Sequence, residues 1–142
     1  MQLLYTLSDI DKPIQLVRNY LKEKKIQHPV ILLTGEMGAG KTTFTSNFVK
    51  SFSPNLNPNS PTFNLMNEYK TSSGSIFHFD LYRLKSPLEI ENLGFEEIWG
   101  KQGLSIIEWW QIAKDYFDSS SLEIKIELAD NNTRLFSLIS KS

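Results

Sequence analysis

The chain has 142 residues, 40% hydrophobic and 22% charged, with a formal net charge of -1 at pH 7. Such a length makes one domain with a substantial core beside no large substrate domain, and the near-neutral charge gives no global basic field for wrapping nucleic acid. With no cysteine there is no disulfide framework or cysteine zinc site, two histidines argue against a His-rich metal centre, and no apolar run approaches the ~20 residues of a bilayer-spanning helix.

Residues 3–7 read as a first strand. The N-terminus lacks a basic stretch and soon meets Ser8, Asp9 and Asp11, so it does not read as a signal peptide, and a soluble cytoplasmic chain is expected. Ser8 or Asp11 is placed to cap a helix running to about Lys24, with Ile14, Val17 and Leu21 as its buried stripe. Residues 30–33 are a short apolar run of strand type. They lead into Gly35-Glu36-Met37-Gly38-Ala39-Gly40-Lys41-Thr42, which matches the phosphate-loop pattern G-x-x-x-x-G-K-[ST]. By chance that pattern arises in roughly one chain of this length in a few hundred. Its setting sharpens it: residues 41–52 read as a helix with Phe44, Phe48, Val49 and Phe52 on one face, completing strand, glycine loop and helix. In such a loop backbone N–H groups close around phosphate oxygens, Lys41 reaches the β- and γ-phosphates, and the Thr42 hydroxyl ligates magnesium.

Residues 53–61 are turn formers that hold no regular element. Residues 63–69 and 75–82 read as two strands around the turn Thr71-Ser72-Ser73-Gly74. Ser86-Pro87-Leu88-Glu89 has capping-box spacing with proline at the first helical position, which predicts a short helix ending near Gly94, then a further turn over residues 95–99. Residues 104–109 form an apolar strand carrying Glu108, and residues 122–128 and 134–139 read as a second hairpin. This mixture of parallel-type units and hairpins predicts an α/β sandwich, a mixed central sheet between helices in a single domain over residues 1–142.

A phosphate loop needs further oxygen ligands and water-positioning groups, because phosphoryl transfer relies on magnesium, alignment and charge neutralisation. Asp80 ends an apolar strand, where the second acidic motif of such enzymes belongs, although an isolated strand-end acid is more often solvated. Glu108 interrupts an apolar stretch, and a carboxylate there needs a counter-ion such as magnesium. Thr62 suits equally a switch-type hydroxyl on the γ-phosphate or an ordinary strand start. Arg134 suits a charge on the nucleotide or a surface ion pair. His78 reads as a satisfied core residue rather than a ligand. Trp99, Trp109 and Trp110 read mainly as packing, with the pair beside Glu108 also suited to a partner patch.

Taken in order, the phosphate loop with Thr43 and Phe44 after it, Ser60-Pro61-Thr62-Phe63, His78-Phe79-Asp80-Leu81-Tyr82-Arg83-Leu84, Leu93-Gly94-Phe95 and Ile107-Glu108-Trp109 resemble the bacterial TsaE (YjeE-type) ATPases. The likeness runs from about Thr6 to Arg134. It implies a cytoplasmic ATP-binding and ATP-hydrolysing subunit of the machinery that makes N6-threonylcarbamoyladenosine at position 37 of tRNA. The family acts with TsaD, which carries out the group transfer, and with TsaB; ATP hydrolysis keeps the complex turning over, and tRNA is met through the complex. Carried over by position, Glu36, Met37, Gly38, Ala39, Gly40 and Lys41 hold phosphates, Thr42 and Glu108 hold Mg2+, and Thr43 supports the nucleotide. Asp80 orders the metal's water shell or the attacking water, and Thr62 is the switch-loop threonine. The segment around Ser8 and Asp9, together with Arg134, approaches the base or ribose, and Trp109 lies by the nucleotide or the partner. The chain departs from the family where Trp110 replaces the usual proline.

Other classes share the loop. A small-molecule kinase normally closes arginine-bearing lids on the transferred phosphate, and this chain has only Arg18, Arg83 and Arg134. A GTP switch would carry Asn-Lys-x-Asp and Asp-x-x-Gly runs, and neither occurs. A nucleotide-gated scaffold, with hydrolysis only as reset, uses the same residues as the ATPase.

Overall fold

The structure is a computed structural model that describes residues 1–36, 38–58 and 65–140. Seven strands form one sheet in the order β1-β7-β6-β2-β5-β4-β3. They are β1 (Gln2–Tyr5), β2 (Val30–Thr34), β3 (Met66–Thr71), β4 (Gly74–Asp80), β5 (Leu104–Glu108), β6 (Leu122–Leu128) and β7 (Arg134–Ser140). The central strands β6, β2, β5 and β4 run parallel, while β3 on one edge and β7 on the other side pair antiparallel with their neighbours. β2 is flanked by parallel partners on both sides, and its first four residues are buried, the reason it reads as an unbroken apolar run.

Helices α1 (Asp11–Lys24) and α2 (Lys41–Phe52) cover one face of the sheet. Ile14, Val17 and Leu21 of α1 pack there with Phe44, Phe48 and Val49 of α2 and with Ile31, Ile106, Ile124 and Phe136 from the strands. The short helix α3 (Leu88–Leu93) and the 3-10 turns Phe95–Glu97 and Trp110–Tyr116 cover the other face over Leu32, Phe79 and Ile107. Phe79 there meets Phe95 edge-on, ring centroids 4.9 Å apart, and Trp99 at 5.5 Å. The expected α/β sandwich with a mixed sheet is the observed architecture.

Two expected caps are corrected. Neither Ser8 nor Asp11 caps α1: a 3-10 turn, Leu7–Asp9, runs straight into the helix, Ile10 takes the cap position without a side-chain bond, and its N–H bonds to the Leu7 carbonyl. A chain that enters already helical leaves little for a capping oxygen to satisfy. The box at residues 86–89 also shifts. α3 begins at Leu88 with Pro87 before it, and the Glu89 carboxylate accepts from the Lys85 N–H at 2.8 Å instead of from Ser86. The first strand likewise ends at Tyr5, short of Leu7.

Candidate functional site

β2 ends at Thr34 and α2 begins at Lys41, so the helix N-terminus sits at the C-terminal edge of the parallel strands. Trp110 Nε1 donates to Thr34 Oγ1 at 2.9 Å, and the same hydroxyl donates to Glu123 Oε2 at 2.9 Å, fixing the point where the loop departs. A Cβ at Gly35 would stand 2.7 Å from the Ile126 carbonyl oxygen, so the loop can leave the sheet only as glycine. At Gly40 φ is +108°, and a Cβ would meet Arg134 Nε at 3.4 Å. Glycine is the residue for both needs, close approach and left-handed backbone.

Parallel pairing brings the acids to this edge. Glu108 stands opposite Leu33 of β2 and opposite Asp80 of β4. Lys41 Nζ lies 3.8 Å from Glu108 Oε1, and His78 Nε2 lies 2.6 Å from Glu108 Oε2. Lys41, Glu108 and His78 are 9%, 5% and 1% exposed. A carboxylate this deep requires partners on both oxygens, and it has one cation and one imidazole. The Lys41 ammonium also sits over the Trp109 ring, 4.8 Å from its centroid. Trp109 adopts left-handed backbone, φ +56°, directly after Glu108, and its ring packs at a tilt against Tyr82, centroids 4.9 Å apart. A bulky residue held there costs about 1–3 kcal/mol, a strain that clusters at functional sites.

These groups border a cleft of about 410 Å³, walled by Glu36, Gly38, Gly40, Lys41, Thr42, Thr43, Asp80, Glu108, Trp109, Arg134 and Leu7. Its size suits a small ligand. A larger hollow of about 830 Å³ opens at the opposite end of the sheet, around Arg18, Lys22, His28 and Phe52. It faces the C-terminal ends of α1 and α2, whose dipoles repel phosphate, so size does not identify the site.

Of the residues singled out from sequence, the cleft gathers Glu36, Gly38, Gly40, Lys41, Thr42, Thr43, Asp80, Glu108 and Arg134. Ala39 is buried behind the loop, and its carbonyl accepts from Arg134 Nε at 3.3 Å. Arg134 thus braces the loop from β7, opposite Tyr5 of β1. Ser8 and Asp9 stand on the turn beside the cleft, bonded to the Thr6 hydroxyl, while the neighbouring Leu7 forms the wall. Met37 and Thr62 lie outside the described residues. His78 is buried as expected, but it is also tied to Glu108. Strand alternation carried that signal, since residues 78 and 80 point to one face of β4 and Glu108 stands beside Asp80.

Asp80 and Glu108 carboxylates with the Thr42 hydroxyl form a hard-oxygen donor set on one cleft, and Glu108 Oε1 keeps its lysine at 3.8 Å rather than in a tight hydrogen bond. Magnesium takes one or two carboxylates plus hydroxyl, water and phosphate oxygens, so the residues fit it.

A glycine loop between a central parallel strand and a helix N-terminus, with acids on the adjoining strands, defines the class of phosphate-loop nucleotide-binding α/β proteins. A family model described as "Threonylcarbamoyl adenosine biosynthesis protein TsaE" matches residues 7–136. A Rickettsia felis protein named tRNA threonylcarbamoyladenosine biosynthesis protein TsaE is 48% identical over 80% of this chain and 66% of its own length. The proteins of that name from Rickettsia conorii and Bacillus subtilis are 42% and 35% identical, over 96% and 74% of this chain and 77% and 65% of theirs. The chain therefore spans about two thirds to three quarters of these relatives. The crystal structure of Bacillus subtilis YdiB superposes on all of this chain and 87% of its own with a TM-score of 0.75 at 23% identity, a likeness of fold. The chain belongs to the TsaE family.

Proposed function

We propose that this chain binds ATP with Mg2+ in the 410 Å³ cleft and hydrolyses it as a cytoplasmic subunit of the tRNA threonylcarbamoyladenosine machinery, acting with TsaD and TsaB. The observation that carries the reading is the buried Lys41–Glu108 pair at the N-terminus of α2, with Asp80 beside it. Phosphate draws Lys41 from Glu108, because a triphosphate offers the ammonium more charge than a single carboxylate does. Backbone N–H groups of the loop and the α2 dipole take up the remaining charge. Thr42 and Glu108 would hold Mg2+, which supplies charge neutralisation across the phosphates. Asp80 orders the metal's water shell or the attacking water, and Arg134, through the Ala39 carbonyl, keeps the loop closed on the ribose side. No helix among the described residues is long and apolar enough to cross a membrane.

Phosphate release from ATP, measured with and without TsaD and TsaB, tests the reading. Lys41→Ala should lower turnover about 100-fold or more, the scale of removing a key transition-state charge. Unchanged turnover, or phosphate passed to a metabolite instead of water, would overturn it. A single full round of tRNA modification with a non-hydrolysable ATP analogue would favour the nucleotide-gated scaffold.

A further inference from the structure

We propose that His78 is a positioning residue that holds Glu108 with one carboxylate oxygen turned into the cleft, an inference that rests on the nucleotide reading above. An ionised carboxylate only accepts, so the 2.6 Å contact has His78 Nε2–H donating to Glu108 Oε2. The second oxygen is left toward Lys41 at 3.8 Å. The two side chains meet diagonally across a parallel pair: His78 stands opposite Ile106, and Glu108 is two residues further along β5. That diagonal joins the strand interior to the cleft edge, so a group sealed in the core controls one on the wall.

Packing alone does not account for a histidine here. His78 is 1% exposed, and its Nδ1 finds no hydrogen-bond partner among the described residues. An imidazole with one buried nitrogen unpaired costs stability that an apolar ring would not. The dyad therefore ends at His78, and what it supplies is orientation. Without it Glu108 is free to turn both oxygens onto Lys41 and to keep that lysine from phosphate. The same turn would remove the oxygen that faces the metal position. Residues behind a metal ligand commonly act in this way.

The test uses the full chain with His78→Phe, which keeps a ring and removes the donor, and His78→Gln, which restores an N–H near the Nε2 position. In nucleotide-free protein, the double variant His78→Phe/Glu108→Gln should lose less of its urea midpoint than the two single losses added together. In the presence of ADP, followed by tryptophan fluorescence, His78→Phe should raise the half-saturating Mg2+ concentration about tenfold or more. ADP affinity without Mg2+ should fall by a smaller factor, as Glu108 competes for Lys41, and His78→Gln should recover most of the Mg2+ response. Additive urea losses would overturn the proposal, as would a folded His78→Phe variant with wild-type Mg2+ response, or a Gln variant as impaired as Phe. A wild-type chain that bound no nucleotide would sink the ATPase reading instead, and the urea cycle would then decide the pairing of His78 with Glu108 by itself.

Discussion

Lys41 shows how a buried charge is held at the proposed phosphate site. It is 9% exposed, paired with Glu108 and seated over Trp109, so its charge is compensated before any phosphate arrives. The loop glycines beside it are constrained in ways that mutation exposes. Gly40→Ala places a Cβ at φ +108° and 3.4 Å from Arg134 Nε, and should lose about 1–3 kcal/mol in urea denaturation together with nucleotide affinity. Gly103, at the far end of the sheet, makes a useful contrast. Its φ is +47°, and an added Cβ would stand 2.3 Å from the Ser75 carbonyl oxygen. Gly103→Ala should therefore cost at least about 2 kcal/mol while the folded fraction binds nucleotide with unchanged affinity by fluorescence titration. Equal effects of the two variants on affinity would mean that strain spreads through the sheet.

At the scale of elements, the loop is aimed by what lies beneath α2. Phe44 and Phe48 of that helix stack at 5.7 Å, and Phe44 meets Phe136 of β7 at the same distance. Phe136→Ala leaves a cavity under the helix and should lower stability by about 3–5 kcal/mol in chemical unfolding. The limits of α2 were legible because aromatic residues recur at helical spacing behind a fixed glycine signal. The start of α1 was not. Ser8 and Asp11 have the chemistry of caps, but the 3-10 turn before the helix already satisfies the backbone, and a turn of three residues has no periodic signature. The box at residues 86–89 misled by one position for a related reason: spacing identifies a pair of residues, while the path of the chain before Pro87 decides which N–H the glutamate can reach.

For the whole molecule, ligand binding and proton binding both shift the folding equilibrium. Mg2+·ATP at a hundredfold excess over its Kd should add about 2.7 kcal/mol of stability, read as a rise in Tm that Lys41→Ala abolishes. Tyr5 gives an alkaline counterpart. Burial raises its phenol above the ordinary value, with the Arg134 charge pulling it partly back. The folded state thus keeps the phenol proton that the unfolded chain releases near pH 10, so this contribution is complete below about pH 10 and is lost as pH rises through the higher folded-state value. Tyr5→Phe should flatten that alkaline fall in urea midpoints followed from pH 7 to 11.

The sequence by itself determined the local features whose cause is local: the glycine loop, the helix behind it, the two hairpins and the apolar strand that carries Glu108. Each depends on residue type and spacing over about twenty contiguous positions or fewer, the range over which backbone conformation and amphipathic pattern act. Family resemblance in the ordered motifs added the names of the groups around the phosphate. Tertiary structure alone decided the assembly. Only the order β6-β2-β5-β4 puts Glu108 between the loop strand and Asp80, only the diagonal between β4 and β5 ties His78 to Glu108, and only the β1–β7 edge brings Arg134 to the Ala39 carbonyl. Those contacts join residues 30 and 95 positions apart, and such pairings are settled by how strands are ordered and which faces they bury, information that no short window of sequence holds.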